Sequence, residues 1–122
     1  TGKTGPYILY TYLRVNKILM QENSQSKLLN QVIYNKEDRD LRLKLIELEN
    51  TLKYAVDTRL PSILANYLYE LCVNINAFYE KNHINNLDDV NKKENWLILL
   101  TLSNNIIKDM LDLLSIKIPE RM

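Results

Sequence analysis

Between Ile63 and Tyr79 the apolar residues Ile63, Leu64, Tyr67, Leu68, Leu71, Cys72, Ile75, Phe78 and Tyr79 return every three or four positions. That spacing paints one stripe along a long α-helix and fits no strand, whose side chains alternate with period two. A helix so continuously apolar needs neighbours along its whole length, so it is expected at the centre of an all-α domain. Pro61 suits its first turn, and Thr58 is a candidate cap.

Three further segments supply the neighbours. From about Pro6 to Gln21, Ile8, Tyr12, Val15 and Leu19 form an apolar face. From about Glu37 to Val56, Leu41, Leu45, Leu48, Leu52 and Ala55 make a second stripe, with Glu, Lys and Arg as its solvated side. From about Lys92 to Leu114, Trp96, Leu99, Leu100, Ile106, Ile107, Met110, Leu111 and Leu114 face inward, with Asn104, Lys108 and Asp112 outside. Between them, residues 22–35 read as a short helix or packed loop around Leu28, Leu29, Val32 and Ile33. Residues 82–95 read as a polar connection with a turn at Asn85-Asn86 and a cap at Asp88 or Asp89. The expected architecture is a bundle of about four main helices.

Composition agrees: 122 residues make a single domain, 1–122, and two glycines with three prolines leave little material for the turns of a β fold. Cys72, the only cysteine, excludes an internal disulfide and fits a reducing cytoplasm. No run is long and apolar enough to cross a membrane. A net charge of +1 argues against nucleic-acid binding mainly through a large basic surface, yet not against a local contact by aromatic stacking and one or two cations.

The first residues allow two readings. Gly2-Lys3-Thr4 matches the end of a phosphate-binding loop, but that loop needs an earlier glycine, a preceding strand and a helix directly after the threonine. Instead Gly5-Pro6 follows, which marks a turn and a helix start with Thr4 as N-cap. The helix so launched carries Tyr7, Tyr10, Arg14 and Lys17 at steps of three, four and three, a polar aromatic face directed away from the core. A solvated surface and a binding surface both fit this pattern.

The inventory for catalysis is poor. Cys72 lies within a core stripe, His83 has no second metal ligand at suitable spacing, and Asp88-Asp89 reads as a cap and loop. No catalytic or metal-binding residue is assigned.

Three blocks together resemble a known family. Thr4-Gly5-Pro6-Tyr7 with Tyr10 and Arg14 is similar to a TGPYxxYxxxR stretch. Tyr67-Leu68-Tyr69-Glu70-Leu71-Cys72, continuing to Asn76, Phe78 and Tyr79, resembles YLYELA followed by an FNxFY-like run. The end, Leu111-Asp112-Leu113-Leu114-Ser115-Ile116-Lys117-Ile118-Pro119-Glu120-Arg121-Met122, resembles LDLLGIxxPERM. In this order and over the whole chain, they resemble the C-terminal anticodon-binding (DALR-type) domain of class I arginyl-tRNA synthetases. Departures are Ser115 where the family usually has Gly, Ser62 where it often has His, and Glu49 where many members have Pro.

The resemblance implies an all-α anticodon-binding domain excised from a longer enzyme that joins arginine to tRNA(Arg) with ATP. It places ATP and the Rossmann catalytic domain upstream, with no cofactor in this segment. The implied partners are the anticodon stem-loop of tRNA(Arg) and the enzyme's own catalytic domain, with neither DNA nor membrane. Tyr10, Arg14, Tyr79 and Met122 would surround the anticodon loop, with Tyr7 and Lys17 as additional contacts. Tyr67 and Tyr69 would serve packing. A non-catalytic helical module that binds another protein is the alternative, and a small nucleotide hydrolase built on Gly2-Lys3-Thr4 a third reading.

Overall fold

The computed structural model describes residues 4–22, 29 and 31–117. Among them are five α-helices: α1 (Thr4–Gln21), α2 (Lys36–Ile46), α3 (Leu48–Thr58), α4 (Pro61–Lys81) and α5 (Val90–Lys117), with a single 3-10 turn at Ile84–Asn86. The expected all-α class is observed. Helix α4 is central and packs against each of the other four.

The stripe on α4 accounts for this position. Leu64, Tyr67, Leu68, Leu71, Cys72, Ile75 and Phe78 are all buried, and Phe78 meets Trp96 of α5 edge to face at 5.4 Å. Burial pushes the Cys72 thiol up to about 12, so it stays protonated and inert at neutral pH. Helix α1 runs beside α4 in the same direction, with Tyr7 near Cys72 and Arg14 near Asn76. Helix α5 returns antiparallel to α1: the Asn104 amide donates to Asn16 Oδ1 at 2.8 Å, and Lys93 pairs with Glu22 at 2.8 Å.

Two expectations about burial change here. Asn104, placed outside by its polarity, is buried because Asn16 and the Tyr12 carbonyl accept its amide protons. Lys44, placed on a solvated face, is buried over the Tyr67 ring and pairs with Glu70. Its hydrocarbon stem packs inside while the ammonium reaches the surface carboxylate.

The expected second helix is divided at Glu47. The Tyr67 hydroxyl donates to the Lys44 carbonyl, the acceptor that the Leu48 N–H would occupy in an unbroken helix. Glu49 thus falls in the first turn of α3, a position where a proline would be tolerated. Thr58 closes α3 by donating to the Tyr54 carbonyl instead of capping α4; Arg59 then takes a left-handed conformation, φ 58° and ψ 37°, before Pro61 opens α4.

Capping departs from the sequence reading at the first helix and agrees with it at the last. Thr4 is already helical, so it is not the N-cap, and Gly5 has no positive φ; Pro6 still stands in the first turn, where its missing N–H is harmless. Asp89 accepts from the Lys92 N–H at 3.1 Å and starts α5. At the other end α5 continues through Ser115 to Lys117, past the expected end at about Leu114; serine there does not favour the left-handed stop that a glycine would. Residues 31–35 form no helix, and Leu28 lies outside the described residues.

At the other end of α4, Asp38 ties three segments together. Fully buried, it accepts the Tyr34 N–H at 3.1 Å, the Trp96 indole N–H at 3.0 Å and the Arg42 Nε–H at 2.5 Å. Asn35 caps α2 by accepting from the Asp38 N–H. The loop before α2 is thereby fixed to α5, near the end of α4 that carries Tyr79.

Candidate nucleic-acid interface

Helix periodicity decides which α1 side chains meet α4. The buried line of α1 is Ile8, Thr11, Val15 and Ile18; Tyr12 and Leu19 are half-buried on the flank toward α5. Tyr7 and Arg14 lie on the opposite flank, and α4 covers both. The polar face expected to project as a unit is therefore divided: Tyr10, 55% exposed, and Lys17 stand in solvent, while Tyr7 and Arg14 are half-buried in the α1–α4 seam.

The seam is organised by Asn76. Its Oδ1 accepts from Arg14 Nη1 at 2.7 Å, and its Nδ2 lies 2.8 Å from Thr11 Oγ1, 3.0 Å from the Cys72 carbonyl and 3.1 Å from the Tyr7 hydroxyl. Thr11 in turn donates to the Tyr7 carbonyl. Tyr7 also packs on Tyr69, ring centres 5.4 Å apart. Burial raises the Tyr7 hydroxyl above the usual phenol range, against the opposing hydrogen bond from Asn76, so Tyr7 stays neutral.

One turn further along α4, the guanidinium of Arg14 sits 5.0 Å from the centre of the Tyr79 ring. That cation–π contact and the Asn76 hydrogen bond fix the side chain from two sides. The His83 ring lies nearly perpendicular to that of Tyr79, with centres 6.3 Å apart. Two of the residues expected at the site are thus placed together, Arg14 touching Tyr79, while Tyr10 lies one turn before Arg14 on α1, exposed to solvent. Lys17 follows, exposed. Met122 lies outside the described residues.

The sequence reading passed over Asn76 and Thr11 as functional groups. Both carry a signal: Thr11 is a polar residue within the buried line of α1, and Asn76 a polar residue at the edge of the apolar face of α4. Tyr69, expected to pack, does touch Tyr7 but remains 42% exposed.

The chemistry available along this edge is that of recognition. Half-exposed aromatic faces can stack on unpaired bases, and a guanidinium held by a neutral acceptor keeps its full charge for a phosphate or base. Such chemistry suits the unpaired bases of single-stranded RNA loops. Residues 8–122 match the family model described as the DALR anticodon binding domain, and the chain belongs to that family.

The arginine–tRNA ligase of Alkaliphilus oremlandii is 35% identical over 99% of the chain, and that of Clostridium botulinum 37% identical over 99%. The Pasteurella multocida arginine–tRNA ligase is 33% identical over the same share. The chain spans only 21 to 22% of the length of these relatives. No solved structure gives a significant match.

Proposed function

We propose that this chain binds the anticodon stem-loop of tRNA(Arg) as one domain of an arginine–tRNA ligase. The observation that carries the reading is the Arg14–Tyr79 pair, which joins a cation and an aromatic face on two helices beside the exposed Tyr10. An anticodon loop presents unpaired bases next to phosphates. Tyr10 and Tyr79 stack on splayed bases, Arg14 and Lys17 contact phosphate or base edges, and Met122 is a further contact to the loop. Activation of arginine with ATP belongs to the larger, cytoplasmic enzyme.

That enzyme's catalytic domain is the proposed second partner. Leu9, Leu13 and Met20 stand on the side of α1 turned away from α4, exposed by 51, 55 and 86%, and an apolar ridge of this kind favours contact with protein. On the helix surface this ridge adjoins Tyr10 and Lys17, so the proposed protein and RNA contacts lie on neighbouring faces of α1.

Titration of the chain with hairpins tests the RNA reading. A hairpin with the anticodon loop of tRNA(Arg) is expected to bind at least about tenfold tighter than one with the same stem and a noncognate loop, about 1.4 kcal/mol of discrimination. Equal affinity for the two hairpins would count against loop recognition.

A further inference from the structure

We propose that Asn76 is a positioning residue for RNA recognition, holding the Arg14 guanidinium beside Tyr79 in the orientation in which it meets the ligand. The inference rests on the proposed RNA-binding role of the seam and deepens it. Its basis is the direction of the hydrogen bonds around one carboxamide.

The Cys72 carbonyl can only accept and the Arg14 guanidinium can only donate, so the amide has one workable orientation. Nδ2 must face inward, where the buried Thr11 hydroxyl and the Tyr7 hydroxyl share it with the Cys72 carbonyl. Oδ1 must face outward, toward Arg14. Flipping the amide would set its NH2 against the guanidinium and its oxygen against a carbonyl. Three inward contacts therefore hold the one acceptor that anchors Arg14.

The identity of that acceptor also matters. A carboxylate would hold Arg14 as firmly but neutralise it. The neutral carboxamide leaves the positive charge intact and engages only one of the five guanidinium N–H groups. With the side chain already ordered between Asn76 and Tyr79, its rotamers need not be frozen when RNA arrives, a saving that corresponds to about two- to tenfold in affinity per long side chain. Asn76 is half-buried and does not itself have to touch the RNA.

A double-mutant cycle with the tRNA(Arg) anticodon hairpin tests this, with a thermal melt of each variant. Asn76→Ala is expected to weaken binding about three- to tenfold, and Arg14→Ala about tenfold or more. The Arg14→Ala/Asn76→Ala double variant should bind within about twofold of Arg14→Ala, because removing the anchor changes nothing once the anchored group has gone. Two losses that multiply in the double variant would overturn the inference and assign Asn76 to general packing. Unchanged binding by Asn76→Ala, with Arg14→Ala impaired, would overturn it too. If Arg14→Ala itself binds normally, it is the RNA reading of the seam that fails. Should Asn76→Ala not fold, the similarly sized Asn76→Leu carries the same cycle.

Discussion

Asp38→Ala is expected to destabilise the domain by about 3–5 kcal/mol, enough to lower the melting temperature by more than about 10 °C. The substitution removes a buried carboxylate that accepts from the Tyr34 N–H, the Trp96 indole and the Arg42 guanidinium. The buried Trp96 indole N–H and the partly buried Tyr34 N–H then lose their acceptor, and Arg42 loses a charged partner. The cost of stranded buried donors, about 1–3 kcal/mol each, outweighs anything gained by removing a charge from the interior. Asp38→Asn, which retains one acceptor oxygen but no charge, should fall between. Asp40→Ala is the control, since the Lys36–Asp40 pair lies on the surface. A melting temperature for Asp38→Ala no lower than that of Asp40→Ala would refute the assignment of Asp38 as the junction of α2, α5 and the loop before α2.

The second large effect concerns binding. Tyr79→Ala removes both a proposed stacking face and the ring under Arg14, so it should weaken binding of the tRNA(Arg) anticodon hairpin by about 5- to 150-fold, the range for a lost base–aromatic stack. Tyr79→Phe keeps the ring and the cation–π contact and should bind within about threefold of the parent. The contrast separates stacking from the hydroxyl. Because Tyr79 is only half-buried, Tyr79→Ala is expected to remain folded. Equal binding by Tyr79→Ala and the parent would remove Tyr79 from the interface.

What could be read in the sequence was governed by how local the determining interaction is. The α4 stripe was legible because burial on a central helix is written into the helix's own periodicity. The break at Glu47 was not, because Leu45, Ile46 and Leu48 continue a helical pattern and the hydroxyl that interrupts it belongs to Tyr67, 23 positions beyond the carbonyl it engages. Burial of Asn104 and Lys44 likewise depends on partners 88 and 26 positions away, Asn16 and Glu70. A polar residue reads as exposed until its partner is known.

The site shows the same division. The steps of three and four from Tyr7 to Lys17 correctly placed four residues on one side of α1, but they carry no information about the neighbour. Only the packing of α4 decides that Tyr7 and Arg14 are covered while Tyr10 and Lys17 are not. The contact between Arg14 and Asn76 spans 62 positions and had no local trace. The resemblance to a family implied that Arg14 and Tyr79 share a site, and their separation of 5.0 Å is what the fold adds to that expectation.

The edge formed by α1 and the end of α4 is the proposed seat of the anticodon loop. A tRNA(Arg) anticodon hairpin with a photoreactive 4-thiouridine in its loop, crosslinked to the chain and mapped by mass spectrometry, tests it most directly. Crosslinks are expected in the peptides that carry Tyr10 and Arg14 or Tyr79, and should be lost with a competing unlabelled cognate hairpin. Crosslinks concentrated in α3, or unaffected by the competitor, would contradict the account.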